Sequence, residues 1–141
     1  MVTYLRTVAS VATGDLPEPR AAPAAATFAE GVRSAAEPSG RAVYEGACVG
    51  CHGWTGISPG IASANLTGTR AVNDATATNV AQVVIHGGER QAEAGPSNMP
   101  AFGSTYSDSE IASVANYVTA RFGAQASDLT PAQVAKLRTQ E

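Results

Sequence analysis

Apolar residues in the last third of the chain recur at helical spacing. Ile111, Val114, Ala115, Val118 and Phe122 fall on one stripe of an amphipathic helix. Ser107-Asp108-Ser109-Glu110 ahead of them has the form of a capping box, and Gly123 supplies the stop. Upstream, Ser39 reads as the cap of a helix that runs through Arg41–Ala47 into Cys48, with Gly40 and Tyr44 four apart on one face. Asn79–Ile85 reads as a short helix ending at Gly87-Gly88. Thr130-Pro131 caps a tail helix that puts Val134 and Leu137 on one side. Gly53–Asn73 is loop-like, broken by Gly56, Pro59, Gly60 and Gly68. No segment keeps a period of two, so the pattern predicts an all-α fold with little or no sheet. A glycine on the first helix and bulky side chains on the last would let the two cross closely.

The 141 residues suit one compact domain with a peripheral arm. Nine Lys+Arg against twelve Asp+Glu give a net charge of −3, which leaves no basic surplus for nucleic acid. No apolar run approaches the roughly 20 residues of a spanning helix. Aromatic residues are 6% of the chain, too few for a large core built by the protein alone.

The two cysteines stand in C-V-G-C-H, as Cys48, Cys51 and His52. C-x-x-C by itself fits a thioredoxin-like redox pair, half a zinc site or a haem attachment motif. A redox pair should follow a strand, whereas the residues before Cys48 read as helix. A zinc site lacks ligands beyond His86. The haem reading uses all three residues, two as thioethers and the third as an axial imidazole. A sixth ligand would come from Met99 in S-N-M-P-A-F, 47 residues after His52, with His86 as the rival. Met1 is terminal. Trp54, Asn98, Arg70, Arg90 and Tyr106 could also approach a haem, but each has an ordinary surface or turn role.

With these residues in hand, the chain resembles class I cytochromes c. The resemblance rests on Gly40, Tyr44, Cys48-x-x-Cys51-His52, Leu66-x-Gly68, Met99-Pro100 and the Val114/Tyr117 pair. It looks closest to a C-terminal haem domain of the multi-haem cytochrome c subunits of membrane-bound bacterial alcohol and aldehyde dehydrogenases, through Y-E-G-A-C-V-G-C-H-G, M-P-A-F-G and L-T-P-A-Q-V-A-K-L-R. The resemblance implies the cytochrome c fold and one covalent haem c on Cys48 and Cys51. It implies His52 and Met99 as axial ligands of the iron, and no catalytic residue. It further implies a periplasmic setting, with any membrane tether belonging to a parent subunit or partner. The implied partners are a dehydrogenase, other cytochrome domains, and a quinone-reducing or oxidase acceptor. The implied function is one-electron transfer; the competing reading is a haem peroxidase or gas sensor with a displaceable sixth ligand. One position departs from the family. The usual proline two before the leucine of L-x-G is Ala64, whose carbonyl is the expected acceptor for the His52 ring.

The resemblance also divides the chain. Residues 1–8 look like the end of a preceding helix, and 9–38 form an Ala/Pro-rich linker or arm. Residues 39–126 are the cytochrome domain and 127–141 a tail helix. The start lacks a basic stretch followed by an apolar one, so no signal peptide is read there. The expectation is an excised last domain of a longer cytochrome, with a stand-alone cytochrome carrying a replaced leader as the rival.

Overall fold

A computed structural model describes residues 38–92 and 95–140. The expected helix remnant at 1–8 and all but the last residue of the expected arm at 9–38 lie outside them. Within the described residues the chain is mostly helical. The first helix, α1 (Pro38–Val43), passes through a π-helical turn (Tyr44–Cys48) into α2 (Val49–His52). A 3-10 turn at Ala62–Ala64 precedes α3 (Thr78–His86), and then come α4 (Asp108–Phe122) and α5 (Pro131–Leu137).

The first helix differs from its expected form in two ways. Ser39 lies inside it, behind Pro38, so it is not the cap; proline suits a first turn because its missing N–H has no partner to lose there. The run into Cys48 is also not uniform. The Val49 amide bonds back to the Tyr44 carbonyl, five residues away, which inserts a wide turn just before the cysteines.

α1 crosses α4 at Gly40. A methyl group at Gly40 would overlap the Ser113 carbonyl oxygen and stand 3.0 Å from Tyr117 Cβ. Hydrogen at that position is therefore what lets the two backbones meet. Tyr44, Ile111, Val114, Ala115 and Val118 are buried around the crossing. The Tyr44 ring packs 5.3 Å from both Tyr117 and Phe122. The tail helix α5 closes over α4 with Val134 and Leu137 buried.

The expectation of little or no sheet needs correction at one place. Gly88–Ala92 and Gly95–Met99 form a two-stranded antiparallel ribbon, β1 and β2, pairing Gly88 with Met99 and Arg90 with Ser97. Its strands read G-E-R-Q-A and G-P-S-N-M, small or polar apart from Pro96 and Met99, so no hydrophobic alternation marks it in the sequence. Glu89 and Arg90 are on β1 and exposed.

Both longer caps form as the sequence pattern requires. Ser107 accepts from the Glu110 amide while Glu110 bonds back to the Ser107 amide at 2.8 Å, and Thr130 and Gln133 do the same for α5. The Ser107 hydroxyl and amide, both donating to the Glu110 carboxylate, hold it below its ordinary value of 4.5. A depressed carboxyl stabilises the fold fully above its unfolded value and loses that contribution as pH falls through the folded one. Ser107→Ala should therefore cost about 1 kcal/mol at neutral pH, typical of a lost N-cap. The gap from wild type should narrow in acid, as urea titrations at pH 7 and pH 3.5 would show.

Candidate haem site

The π turn and α2 bring the three groups of C-V-G-C-H to one place. Cys48, Cys51 and His52 line a cavity of about 390 Å³, and Met99, from the end of β2, lines the same space. That volume lies in the usual range for small-molecule and cofactor sites, roughly 300–1,000 Å³. Much of its wall is core: Tyr44, Leu66, Val72, Val80, Val84, Phe102, Val114 and Val118.

The imidazole is oriented by the backbone. His52 Nδ1 lies 2.6 Å from the Ala64 carbonyl oxygen, which can only accept, so Nδ1 carries the proton. Nε2 is left with its lone pair, the form in which imidazole binds a metal. Alanine in place of proline at 64 keeps this contact because a carbonyl belongs to every residue. The motif helix is held at its end as well. The buried Tyr44 hydroxyl donates to the Gly53 carbonyl at 2.7 Å, directly after His52. Burial raises the Tyr44 pKa well above its usual 10, so the hydroxyl keeps its proton through the neutral and alkaline range.

The Met99 side is shaped by backbone packing. Gly87, at φ +71°, ends α3 against the Met99–Ala101 backbone; a β-carbon there would stand 2.8 Å from the Ala101 nitrogen. The Phe102 amide bonds to the Val84 carbonyl at 2.8 Å and the Gly103 amide to Ile85 at 3.1 Å. Ser63, next to Ala64, donates to Ser97 Oγ at 2.8 Å, which joins the loop carrying the His52 acceptor to the strand carrying Met99. Ser63, Ser97 and Tyr44's bond to Gly53 carry no motif, because each depends on which segments meet.

The rival residues are placed elsewhere. His86 is exposed at the end of α3 and does not line the cavity. Trp54 is 65% exposed and Arg70 is exposed; neither lines the cavity, nor does Tyr106. Arg90 and Asn98 do line it. Among the described residues no cluster of three or more His, Cys, Asp or Glu could hold a bare metal ion. The Cys48 thiol is pushed up to about 11, first by burial and then by Cys51. The segment leading into Cys48 is helical, so the strand that a thioredoxin-like pair should follow does not precede it.

Two thiols, an imidazole with a free Nε2 and a thioether meeting in one largely apolar cavity fit an iron porphyrin. Helices crossing beside such a cavity, with C-x-x-C-H in the turn and helix that continue the first of them, define a class I cytochrome c domain. The family described as cytochrome c oxidase, cbb3-type, subunit III matches residues 35–118, and the chain belongs to that family. A curated relative is a nicotinate dehydrogenase subunit of Pseudomonas putida. It is 33% identical over 88 residues, which are 61% of this chain but 7% of the relative. A cytochrome c domain binds haem and transfers electrons; it is a redox module, not a catalyst. Among the described residues no helix is long and apolar enough to cross a membrane.

Proposed function

We propose that this chain carries one haem c, bound through thioethers to Cys48 and Cys51, with His52 and Met99 as the axial ligands. It relays single electrons from a periplasmic dehydrogenase toward quinone or a terminal oxidase. The observation that carries the reading is the meeting of Cys48, Cys51, His52 and Met99 around one cavity. The bound haem supplies a ferric/ferrous couple, raised in potential by a thioether ligand relative to two nitrogens.

The protein's own residues supply the rest. Ala64 holds the His52 ring through Nδ1, which leaves Nε2 for the iron, and Leu66, Val72, Val84 and Val114 limit water in the cavity. The pairing of Met99 with Gly88 fixes the strand that presents the thioether. Cys51 is exposed, and the nearby stretch from Gly46 to Thr69 contains no Asp, Glu, Lys or Arg. Trp54, Ile57 and Ile61 are exposed along it, giving a redox partner an apolar surface near the motif. The dehydrogenase partner is supported by the nicotinate dehydrogenase relative, and the periplasmic setting by the need to attach haem c after export. The exposed position of His86, outside the cavity, leaves the peroxidase reading without a distal imidazole.

The test is optical. Chain matured with haem should give a pyridine haemochrome equal to one thioether-linked haem per polypeptide. The ferric protein should show the near-infrared sulfur-to-iron band. In Met99→Ala that band should vanish, carbon monoxide should bind the reduced protein to a full equivalent, and the potential should fall. An unchanged band and potential in Met99→Ala would remove Met99 as ligand, and a colourless chain would remove the haem.

A further inference from the structure

The tail helix α5 ends in a side chain that reaches back to the loop behind Met99. Arg138 Nε donates to Asp108 Oδ1 at 2.5 Å and Nη2 to the Tyr106 carbonyl at 2.8 Å, while Nη1 donates to the Gly103 carbonyl. One guanidinium thereby joins α5, the first turn of α4 and the segment that runs from Met99 into α4. Charged donors make the stronger protein hydrogen bonds, and a planar fork can hold several acceptors at once. Arg138 is about a quarter exposed, so these bonds are only partly screened by solvent.

The tail is itself docked firmly. Asn116 on α4 accepts from the Leu129 amide and from Ser127 Oγ, both at 2.8 Å, and donates to the Leu129 carbonyl at 2.9 Å. Thr119 and Ser127 share a further bond at 2.6 Å. Leu129, Val134 and Leu137 are buried beside these contacts. The loop that Arg138 grips meets α3 through only two of its amides, Phe102 to Val84 and Gly103 to Ile85. Those bonds lie three and four residues after Met99.

We propose that α5 is a strap and Arg138 a positioning residue that sets how tightly Met99 is held at the iron. The proposal rests on the reading of Met99 as axial ligand. Arg138 touches neither the haem cavity nor Met99; it acts through the carbonyls of Gly103 and Tyr106.

The experiment uses the haem-loaded chain and its Arg138→Gln and Arg138→Lys variants. Imidazole is added to the ferric proteins, and its displacement of Met99 is followed by loss of the near-infrared band. Amide exchange is measured in parallel. Arg138→Gln should speed displacement by about tenfold, the scale of a lost charged hydrogen bond. The amides of Phe102 and Gly103 should exchange faster by a similar factor, while those of Val114 and Ala115 in mid-α4 stay unchanged. Arg138→Lys should fall between, since an ammonium keeps the charge without the fork. Displacement at the wild-type rate, or an equal rise of exchange in the loop and mid-α4, would overturn the proposal. If Arg138→Gln does not load haem, Arg138→Lys carries the same criteria. A wild-type protein without the band would overturn the Met99 reading instead. The strap would then be judged on exchange alone, faster loop amides supporting it and unchanged ones overturning it.

Discussion

Gly40→Ala should destabilise the domain by about 2 kcal/mol, and Gly40→Val by more, despite alanine being the better helix former. Two effects oppose each other. In a helix interior alanine gains about 1 kcal/mol over glycine. Against that, the new methyl overlaps the Ser113 carbonyl oxygen, and its neighbour is backbone, which cannot rotate aside as a side chain can. Forcing atoms into a well-packed crossing costs about 1–3 kcal/mol, and more where backbone must shift. The overlap wins. Separating α1 from α4 would also draw Tyr44 away from Tyr117 and Phe122 and disturb the cavity wall that Tyr44 supplies. A fall in melting temperature of roughly 10 °C is the expected scale. Gly46, in the π turn, has open space where its β-carbon would be, so Gly46→Ala is the control and should melt close to wild type. Equal melting of the Gly40 and Gly46 variants would refute a tight crossing.

Cys48→Ala combined with Cys51→Ala should have the largest effect of all. Without thioethers the chain cannot retain haem through denaturation, and on the proposed reading the haem completes the core. The cavity of about 390 Å³ is bounded by residues that also form the hydrophobic core. At roughly 24 cal/mol per Å³, leaving it empty and dry would cost on the order of 9 kcal/mol. Water entering past the exposed Cys51 reduces that upper bound. Even a fraction of it rivals the whole stability of a domain this size, about 5–15 kcal/mol. The double variant should therefore lose cooperative thermal unfolding by circular dichroism and fail to retain haem on a denaturing gel. A haem-free double variant that melts cooperatively at the wild-type temperature would show that the polypeptide alone builds the core.

The elements behind these expectations differ in how plainly the amino-acid sequence shows them. The α4 helix and its Ser107–Glu110 box, and the Thr130-Pro131 start of α5, are visible because capping and amphipathic spacing act within a few residues. Ser39 misleads for the same reason. A serine before a helical run is a good cap locally, but the helix begins at Pro38. The β1–β2 ribbon leaves no such mark because nothing on its exposed face requires apolar alternation. Its pairing is set by backbone bonds, which any sequence can make.

The reactive groups are legible in the chain's own order of residues. C-V-G-C-H puts two thiols and an imidazole within five residues, and no other pair of thiols exists in the chain. That order also determined the main helices, whose stripes and caps are local. Packing puts Met99, the residue already expected, in the cavity with His52 and leaves His86 outside it, which depends on where α3 ends and how the ribbon turns back. Packing alone supplied Ser63 to Ser97 and Arg138 on the Met99 loop, contacts spanning 34 and up to 35 residues, whereas the Ala64 carbonyl was already expected as the ring's partner. The physical reason is the same throughout. A cap or a helical stripe is set by neighbours a turn away, whereas a carbonyl or hydroxyl gains a distant partner only once packing has brought two segments together.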